Sequence, residues 1–412
     1  MAMDPHPVAS LAPFDRTPRT RLVFGNGTLS RLGELAAELG ARRVLVVTDP
    51  GIVAAGHLVR ARASLESGGL EVTVYDGVRE NPTTMDVARC LAVARGSGVD
   101  LLVGLGGGSS MDTAKGTNFL LTNGGEMKDY WGVGKATQPM LPLIAVPTTA
   151  GTGSECQSAA LIADEATHQK MACLDPKAAA RVALLDPELT LSQPPGVTAV
   201  TGVDALAHAV ETAVTTARNA ISVMHSREAF RRLIHALPRV IARPDDLEAR
   251  GHMLLGAAFA GIAIENSMLG SAHAAANPLT ARFQIVHGAA VGLMLPHVVR
   301  LNAGVNTAAH RAYADLAHAA DLPGVASDPD QAFDAFVERL EAVLDLAAIP
   351  ASLLEAGADP ATVPGLAVEA SRQWTARFNP AACDVAEFTA LYTAALQPRG
   401  SVNSGRSAPA GA

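Results

Sequence analysis

The sequence predicts an α/β domain with a parallel sheet, followed by an all-α helical domain. Three observations predict this class. Short, β-branched, nearly continuous apolar runs recur over residues 22–191, apolar residues recur at helical spacing over 205–396, and a Pro194-Pro195 pair separates the two patterns. A length of 412 residues is also more than one compact core usually holds.

The apolar runs of the first part are predicted strands. Each is bounded by Gly, Pro or Asp, and the five runs are 42–49, 70–77, 99–109, 141–149 and 181–187. Because the runs are continuous rather than alternating, we expect strands that are buried on both faces, as in a parallel sheet. The intervals between the first three runs are long enough for crossover helices.

The second part is rich in Ala and Leu at helical spacing, and no strand pattern continues there. Both ends of the chain are Pro-, Gly- or Ser-rich with little to bury, which favours tails. The predicted domains are a tail over 1–20, the α/β domain over 21–193, the helical domain over 194–398 and a second tail over 399–412.

Composition argues against several classes of protein. The net charge of −8 leaves no basic patch for nucleic acid. Neither a basic-then-apolar leader nor a run of eighteen apolar residues is found, which argues against a membrane protein. The cysteines, Cys90, Cys156, Cys173 and Cys383, form no C-x-x-C pair, so we expect free thiols in a reducing cytoplasm.

A glycine-rich loop follows the third predicted strand and opens a helix, in "GLGGGSSMDTAKG" (104–116). Gly106, Gly107 and Gly108 allow backbone N–H groups to approach a ligand, and the helix N-terminus attracts an anion. The spacing is neither G-x-G-x-x-G nor a Walker A loop. The loop is therefore a candidate pyrophosphate site, with a strand-to-helix turn that requires glycine as the alternative.

A second polar loop, "PTTAGTGSE" (147–155), follows another predicted strand. Thr148, Thr149, Thr152 and Ser154 place hydroxyl groups at the carboxyl end of that strand, where α/β proteins bind ligands. The alternative is a polar turn held by its own side chains. Two such loops on one sheet favour a ligand-binding edge.

Asp49 ends the first predicted strand. A carboxylate there can accept hydrogen bonds from an adenosine ribose and repels a 2′-phosphate, which favours NAD over NADP. The alternative is a strand-end Asp in a turn with Pro50.

Asp204 and His208 lie four residues apart on a predicted helix and so share a face. His273 and His287 supply two further imidazoles. One carboxylate and three imidazoles suit Zn²⁺ or Fe²⁺. The alternative is a set of ordinary helix histidines that bind no metal.

Several motifs together resemble the iron-containing (group III) alcohol dehydrogenases. They are the two loops above, "DPELTLSQPPGVTAVTGVDALAHAVE" and "HAAANPLTARFQIVHGAAVGLMLPHVVRLN", and the similarity runs from Leu22 to Gln397. The resemblance implies a dinucleotide-binding α/β domain, a helical domain and an active site in the cleft between them. It also implies hydride transfer between NAD(P)H and a small alcohol or aldehyde.

The resemblance further implies which residues bind each cofactor. The metal ligands of the family fall on Asp204, His208, His273 and His287. The dinucleotide contacts fall on Asp49, Asn81, Gly106, Gly107, Gly108, Ser109, Asp112, Thr148, Thr149, Thr152 and Lys170.

Asn277 departs from the family pattern, because many members carry a third histidine there, near the nicotinamide. Asparagine does not titrate near neutral pH but can orient a water or a substrate oxygen. We therefore assign catalytic roles to His273 and Asn277 and expect an altered substrate preference or proton route.

Other functions remain open at this stage. A lyase related to dehydroquinate synthase would use the same fold, NAD and a metal, but with a Glu and two His as ligands. A maleylacetate-reductase-like enzyme and a non-catalytic NAD-binding protein are further alternatives. We expect a homodimer, since an edge strand near Leu22 would permit one.

Overall fold

The computed structural model describes residues 14–167 and 169–399. The predicted tails therefore lie largely outside the described residues. Nine strands are described: β1 (Arg21–Phe24), β2 (Arg43–Val47), β3 (Glu71–Tyr75), β4 (Leu101–Gly106), β5 (Gly132–Val133), β6 (Leu143–Pro147), β7 (Ala159–Ala163), β8 (Lys170–Leu174) and β9 (Val182–Leu185).

Six of these strands form one parallel sheet in the order β1-β9-β6-β4-β2-β3. The five predicted strands all belong to it, and β1 lies at its edge. In β2, Val44 and Val46 enter one apolar core, while Leu45 and Val47 enter the other. The expectation of strands buried on both faces is confirmed for β2, β4, β6 and β9. It is wrong for β3, which is only partly buried because it lies at the other edge of the sheet and lacks a second neighbouring strand.

A second, three-stranded sheet in the order β5-β8-β7 was not predicted from the sequence. Strands β7 and β8 pair antiparallel. In β7, fully buried residues alternate with partly buried ones, so it lacks the continuous apolar run on which the prediction depended. Short alternating strands carry a weaker sequence signal than a run that is buried on both faces.

The helices agree with the predicted pattern, and within the described residues no strand follows β9. Those in the first part are α1 (Leu32–Glu38), α2 (Pro50–Ala54), α3 (His57–Ser67), α4 (Thr84–Ser97) and α5 (Gly108–Asn123). Those in the second part are α6 (Pro195–Thr212), α7 (Ala220–Ala242), α8 (Leu247–Ser267), α9 (Ser271–Phe283), α10 (His287–Val305), α11 (Thr307–Ala319), α12 (Pro329–Leu346), α13 (Val363–Ser371) and α14 (Val385–Ala395). Pro195 begins α6, a position that tolerates proline because its N–H has no helical partner.

The chain forms two compact units. Among the described residues, one unit contains Asp15–Thr198 and Ala242–Glu265, and the other contains Ala199–Ile241 and residues 266–399. Most of α8 thus packs with the unit that contains the sheets, whereas the sequence analysis placed it in the helical domain.

Close backbone packing and a buried carboxylate explain where α8 lies. A side chain at Gly261 would collide with the backbone of Gly153, so the helix and the loop after β6 approach as closely as two glycines allow. Glu265 accepts hydrogen bonds from the backbone N–H of Ser158 at 3.0 Å and from its hydroxyl at 2.6 Å. These are long-range contacts that local periodicity does not reveal.

Among the described residues, α8 is the one helix whose length and apolar composition would suffice to span a membrane. However, 72% of its most apolar window is buried inside the protein. A largely apolar helix is expected in the interior of a large unit, and α8 is a core helix of this kind.

Candidate functional site

Polar loops meet at the carboxyl edge of the large sheet, where β2, β4 and β6 are neighbours. Gly106, the last residue of β4, pairs in register with Pro147 of β6. The Thr148 N–H donates to the carbonyl of Gly106 at 3.0 Å, which continues the ladder past the strand ends. The two loops predicted to bind a ligand therefore begin side by side.

The glycines of the loop after β4 allow these loops to touch. Gly106 has a positive φ of 147°, and a Cβ placed on it would lie 3.2 Å from Asp49 Oδ2. A Cβ on Gly108 would lie 2.9 Å from Thr152 Cγ2. A Cβ on Gly107 would lie 3.5 Å from the Thr149 side chain, which is an ordinary van der Waals distance. The structure thus brings the predicted residues of three loops together.

Helix α5 begins in this loop without a side-chain cap. Gly107 is its N-cap, and the carbonyl of Gly107 accepts from the Ser110 N–H at 3.1 Å. The N–H groups of the first turn and the positive end of the helix dipole, at Gly108 and Ser109, are well suited to an anion such as a pyrophosphate.

Asp49 has the structural role given above as the alternative, at a strand end next to Pro50. It caps α2, since its Oδ1 accepts from the N–H groups of Gly51 at 2.9 Å and Ile52 at 3.1 Å. Its other oxygen faces the Gly106 backbone. One carboxylate thus organises a helix and contributes negative charge at the sheet edge.

Asp112 lies one turn into α5 and bonds the second loop. Its Oδ1 accepts from the Ser154 hydroxyl at 3.2 Å. Burial raises the pKa of Asp112 above its ordinary value, although Lys115 and Lys170 act to lower it.

Lys115 is a functional candidate that the sequence analysis missed. Its side chain is fully buried and donates to the Ser154 carbonyl at 2.7 Å, the Ser154 hydroxyl at 2.9 Å and the Ala159 carbonyl at 3.0 Å. Burial lowers the pKa of Lys115, while Asp112 and Glu265 act to raise it. A lysine inside an otherwise apolar helix face was the available sequence signal.

Asn81 and Lys170, two of the dinucleotide contacts that the family resemblance implies, lie next to each other. The Lys170 ammonium lies 3.5 Å from Asn81 Oδ1, and both side chains are exposed. Asn81 has a positive φ of 52°, which asparagine tolerates better than most residues.

The candidate metal ligands converge from three helices of the other unit. Asp204 and His208 lie one turn apart on α6, His273 lies in the first turn of α9, and His287 begins α10. The Nε2 atoms of His208, His273 and His287 lie 3.5, 3.3 and 3.8 Å from Asp204 Oδ1. All four predicted ligands are therefore brought together.

These distances fit a divalent cation. Ligand atoms about 2.1 Å from a tetrahedral ion lie about 3.4 Å from one another. Asp204 Oδ1 and His273 Nε2 are buried and have no hydrogen-bond partner among the described residues. Two buried polar atoms without a hydrogen bond are costly unless another group, such as a cation, satisfies them.

Gly288 makes this convergence possible. A side chain on Gly288 would collide with the carbonyl of Val200 on α6. Its absence allows the start of α10, and therefore His287, to approach the helix that carries Asp204. His287 remains more accessible than the other ligands, with 36% of its side chain exposed against 5% for His273.

The electrostatics of the cluster favour a cation. Burial by itself would raise the pKa of Asp204, but the imidazoles of His208, His273 and His287 lower it well below its usual range. Burial would lower the pKa of His273, but Glu211 and Asp204 on its two sides raise it to about 9.

Glu211 is a second residue that the sequence analysis missed. It is 3% exposed, and its Oε2 lies 2.5 Å from Nδ1 of His273. Burial would raise the pKa of Glu211, but His273 and the Ala272 N–H lower it below its ordinary value. The available signal was its position three residues after His208 and seven after Asp204, on the same helix face.

Asn277 lies one turn after His273 on α9 and is half-buried. Its amide donates to Gln373 Oε1 at 3.0 Å. The residue that departs from the family pattern is thus held by a second amide side chain.

Two family models match the chain. "Iron-containing alcohol dehydrogenase" matches residues 18–187, and "Fe-containing alcohol dehydrogenase family, C-terminal" matches residues 198–396. Lactaldehyde reductase of Escherichia coli is 32% identical over 371 residues, which are 90% of this chain and 96% of that enzyme.

Solved structures agree with these matches. A 1,3-propanediol oxidoreductase superposes with a TM-score of 0.89 at 31% identity, covering 93% of this chain and 100% of that one. The sulfoacetaldehyde reductase of Bifidobacterium kashiwanohense, in complex with NAD⁺, superposes with a TM-score of 0.84 at 26% identity, covering 94% and 99%. The chain therefore belongs to the iron-containing alcohol dehydrogenase family and is a metal-dependent, NAD-linked oxidoreductase that acts on alcohols or aldehydes.

Proposed function

We propose that this chain transfers hydride reversibly between NAD(H) and a small aldehyde or alcohol, with Asp204, His208, His273 and His287 holding the divalent cation. The observation that carries the proposal is the arrangement of three imidazole nitrogens within 3.3 to 3.8 Å of one buried carboxylate oxygen. All four residues are the metal ligands that the family resemblance implied.

A bound divalent cation supplies Lewis-acid chemistry, which acidifies an alcohol or polarises a carbonyl. The protein contributes the position of that charge, because three of its ligands are nearly buried and fixed on helices. His287 is the most exposed ligand, so we place the substrate's access on its side of the cluster. Asn277 orients polar groups near His273 and is not itself a proton donor at neutral pH.

The dinucleotide is proposed to lie along the carboxyl edge of the large sheet. The uncapped start of α5, at Gly108 and Ser109, receives the pyrophosphate. Thr148, Thr149 and Thr152 line the neighbouring loop, and Asn81 and Lys170 provide a polar pair on the same unit. Asp49 provides the negative charge that favours NAD over NADP.

The four candidate ligands suit more than one divalent ion, so the ion that is bound also depends on which metal is available to the protein. One carboxylate and three imidazoles accept Zn²⁺ at least as tightly as Fe²⁺. We propose that either ion occupies the site and that Fe²⁺ or Zn²⁺ supports turnover.

We further propose a soluble, cytoplasmic homodimer. The apolar helix α8 is largely buried, as in a soluble protein. Strand β1 lies at the sheet edge and exposes 45% of Phe24, which offers an apolar surface for a second copy. Size-exclusion chromatography with light scattering measures the mass directly, and a monomer at micromolar concentration would contradict the dimer.

The decisive experiment starts from metal-free protein. Oxidation of NADH and NADPH is followed with a panel of small aldehydes, before and after Fe²⁺ or Zn²⁺ is added. We expect turnover that depends on the metal and is faster with NADH. Binding of NADH without turnover of any aldehyde would favour a non-catalytic NAD-binding protein instead.

Two ligand variants test the metal centre itself. His273→Ala and His287→Ala should lose metal binding and turnover together, because each removes one of four ligands. His310→Ala is the matched control, since His310 faces Asp330 at 3.4 Å in the same unit and is no ligand. Full turnover by either ligand variant after chelation would contradict the proposed mechanism.

A further inference from the structure

Glu211 contacts the metal ligand His273 from the side opposite Asp204. Its Oε2 lies 2.5 Å from His273 Nδ1, and its Oε1 accepts from the Ala272 N–H at 2.7 Å. The other ring nitrogen of His273, Nε2, lies 3.3 Å from Asp204 Oδ1. The imidazole is therefore placed between two carboxylates, each of which faces a different nitrogen.

We propose that Glu211 is a positioning residue that holds the proton of His273 on Nδ1, so that Nε2 is left as a lone-pair donor for the metal. The inference rests on the proposed metal centre and deepens it. A neutral histidine binds a metal through its unprotonated nitrogen, and the tautomer is decided by the hydrogen bond that the other nitrogen makes.

The carboxylate form is needed because two donors face Glu211. The Ala272 N–H and the His273 Nδ1–H each require an acceptor, and a carboxylate supplies one oxygen to each. A glutamine has a single acceptor oxygen. If that oxygen keeps the Ala272 N–H, the amide NH₂ faces Nδ1 and favours the proton on Nε2, which blocks the metal.

The surrounding packing fixes Glu211 in this role. A Cβ on Gly270 would lie 3.1 Å from Glu211 Oε1, so the chain passes the carboxylate closely just before α9. Asn379 holds the same helix end, since its Oδ1 accepts from the Ser271 N–H at 3.3 Å. Asn379 contacts the start of α9, and its side chain also hydrogen-bonds to Asn302 and Ala381, so a variant at Asn379 separates helix anchoring from tautomer control.

The test measures metal affinity rather than activity. Metal-free wild type, Glu211→Gln and Asn379→Ala are titrated with Zn²⁺ against a competing chelator, and with Co²⁺ to record the absorption of the bound ion. We expect Glu211→Gln to bind Zn²⁺ about 10- to 100-fold more weakly, with an altered Co²⁺ spectrum. Asn379→Ala should lower the melting temperature of the metal-free protein with a change in affinity below about threefold.

The outcomes are distinct. Failure of the wild type to bind either ion would overturn the proposed metal centre. If the wild type binds Zn²⁺ and Glu211→Gln binds it equally tightly, the role of Glu211 alone would be overturned. Equal losses of affinity in Glu211→Gln and Asn379→Ala would have the same meaning. If Glu211→Gln does not fold, Glu211→Asp takes its place. This shorter carboxylate cannot reach both donors, so affinity equal to the wild type would likewise overturn the inference.

Discussion

Asp49 caps helix α2 with one carboxylate oxygen and faces the Gly106 backbone with the other. At the level of the single residue, this side chain caps a helix and, in the proposed function, also sets the preference between NAD and NADP. Asparagine caps a helix as well as aspartate does but carries no charge. It can thus separate the two effects.

Asp49→Asn should keep the stability of the wild type and raise the preference for NADPH over NADH about tenfold, because the charge that repels a 2′-phosphate is lost. The measurement is the ratio of kcat/KM for the two nucleotides, together with Tm. Asp49→Ala is the control and should also lose about 1 kcal/mol of stability with the cap. An unchanged ratio in Asp49→Asn would show that Asp49 acts only as a helix cap.

Helix α5 and the loop after β6 are joined at the scale of elements by one buried ammonium. Lys115 satisfies two carbonyls and a hydroxyl, and Asp112 bonds the same Ser154 hydroxyl. The loop that carries Thr148, Thr149 and Thr152 is held to the helix that follows the glycine loop. The shape of the candidate dinucleotide site depends on this buried pair of charges.

Lys115→Met should destabilise the sheet-containing unit by about 3–5 kcal/mol, because Asp112 is left as a buried charge without its compensating cation. NADH binding, measured by fluorescence titration, should weaken as the loop loosens. The double variant Lys115→Met with Asp112→Asn should recover part of the stability. Lys128→Met, which removes an exposed lysine paired with Glu126, is the control and should change stability by less than about 0.5 kcal/mol. Equal stability of Lys115→Met and Lys128→Met would contradict this account.

Stability against pH is a property of the whole molecule, and Glu155 makes a defined contribution to it. The side chain is 1% exposed, and its Oε1 is buried without a hydrogen-bond partner among the described residues. Burial raises the pKa of Glu155 to about 7, although its own backbone N–H and Lys115 act to lower it. Between about pH 4.5 and pH 7, Glu155 is therefore protonated in the folded protein but ionised in the unfolded chain.

Because the folded pKa lies above the unfolded one, the favourable contribution of this carboxyl is complete below about pH 4.5 and is lost as the pH rises to about 7. Glu155→Gln mimics the protonated form at every pH. Its free energy of unfolding relative to wild type should rise by up to about 3 kcal/mol between pH 4.5 and pH 8. Denaturant unfolding at pH 5 and pH 8 measures this difference, and a constant difference would show that Glu155 ionises normally.

Features with a local signal can be read from the sequence. Continuous apolar runs predicted the inner strands β2, β4, β6 and β9, because a strand buried on both faces has no polar positions to alternate with, and the same pattern also marked the edge strand β3. Glycines directly after β4 marked the candidate pyrophosphate loop, and Asp204 with His208 shared a helix face by their four-residue spacing. The family motifs then supplied the remaining candidate ligands, His273 and His287.

Features that depend on contacts between distant residues become visible only once the chain is folded. Glu211 and His273 are 62 residues apart and meet only because α6 and the start of α9 pack together. In the sequence, Lys115 does not differ from other helix lysines. Its burial depends on the loop at Ser154, 39 residues away in the chain. The packing of α8 with the sheet-containing unit and the pairing of β7 with β8 follow the same rule. Local periodicity records which face of an element is buried, but it carries no information about which distant side chain is buried against it.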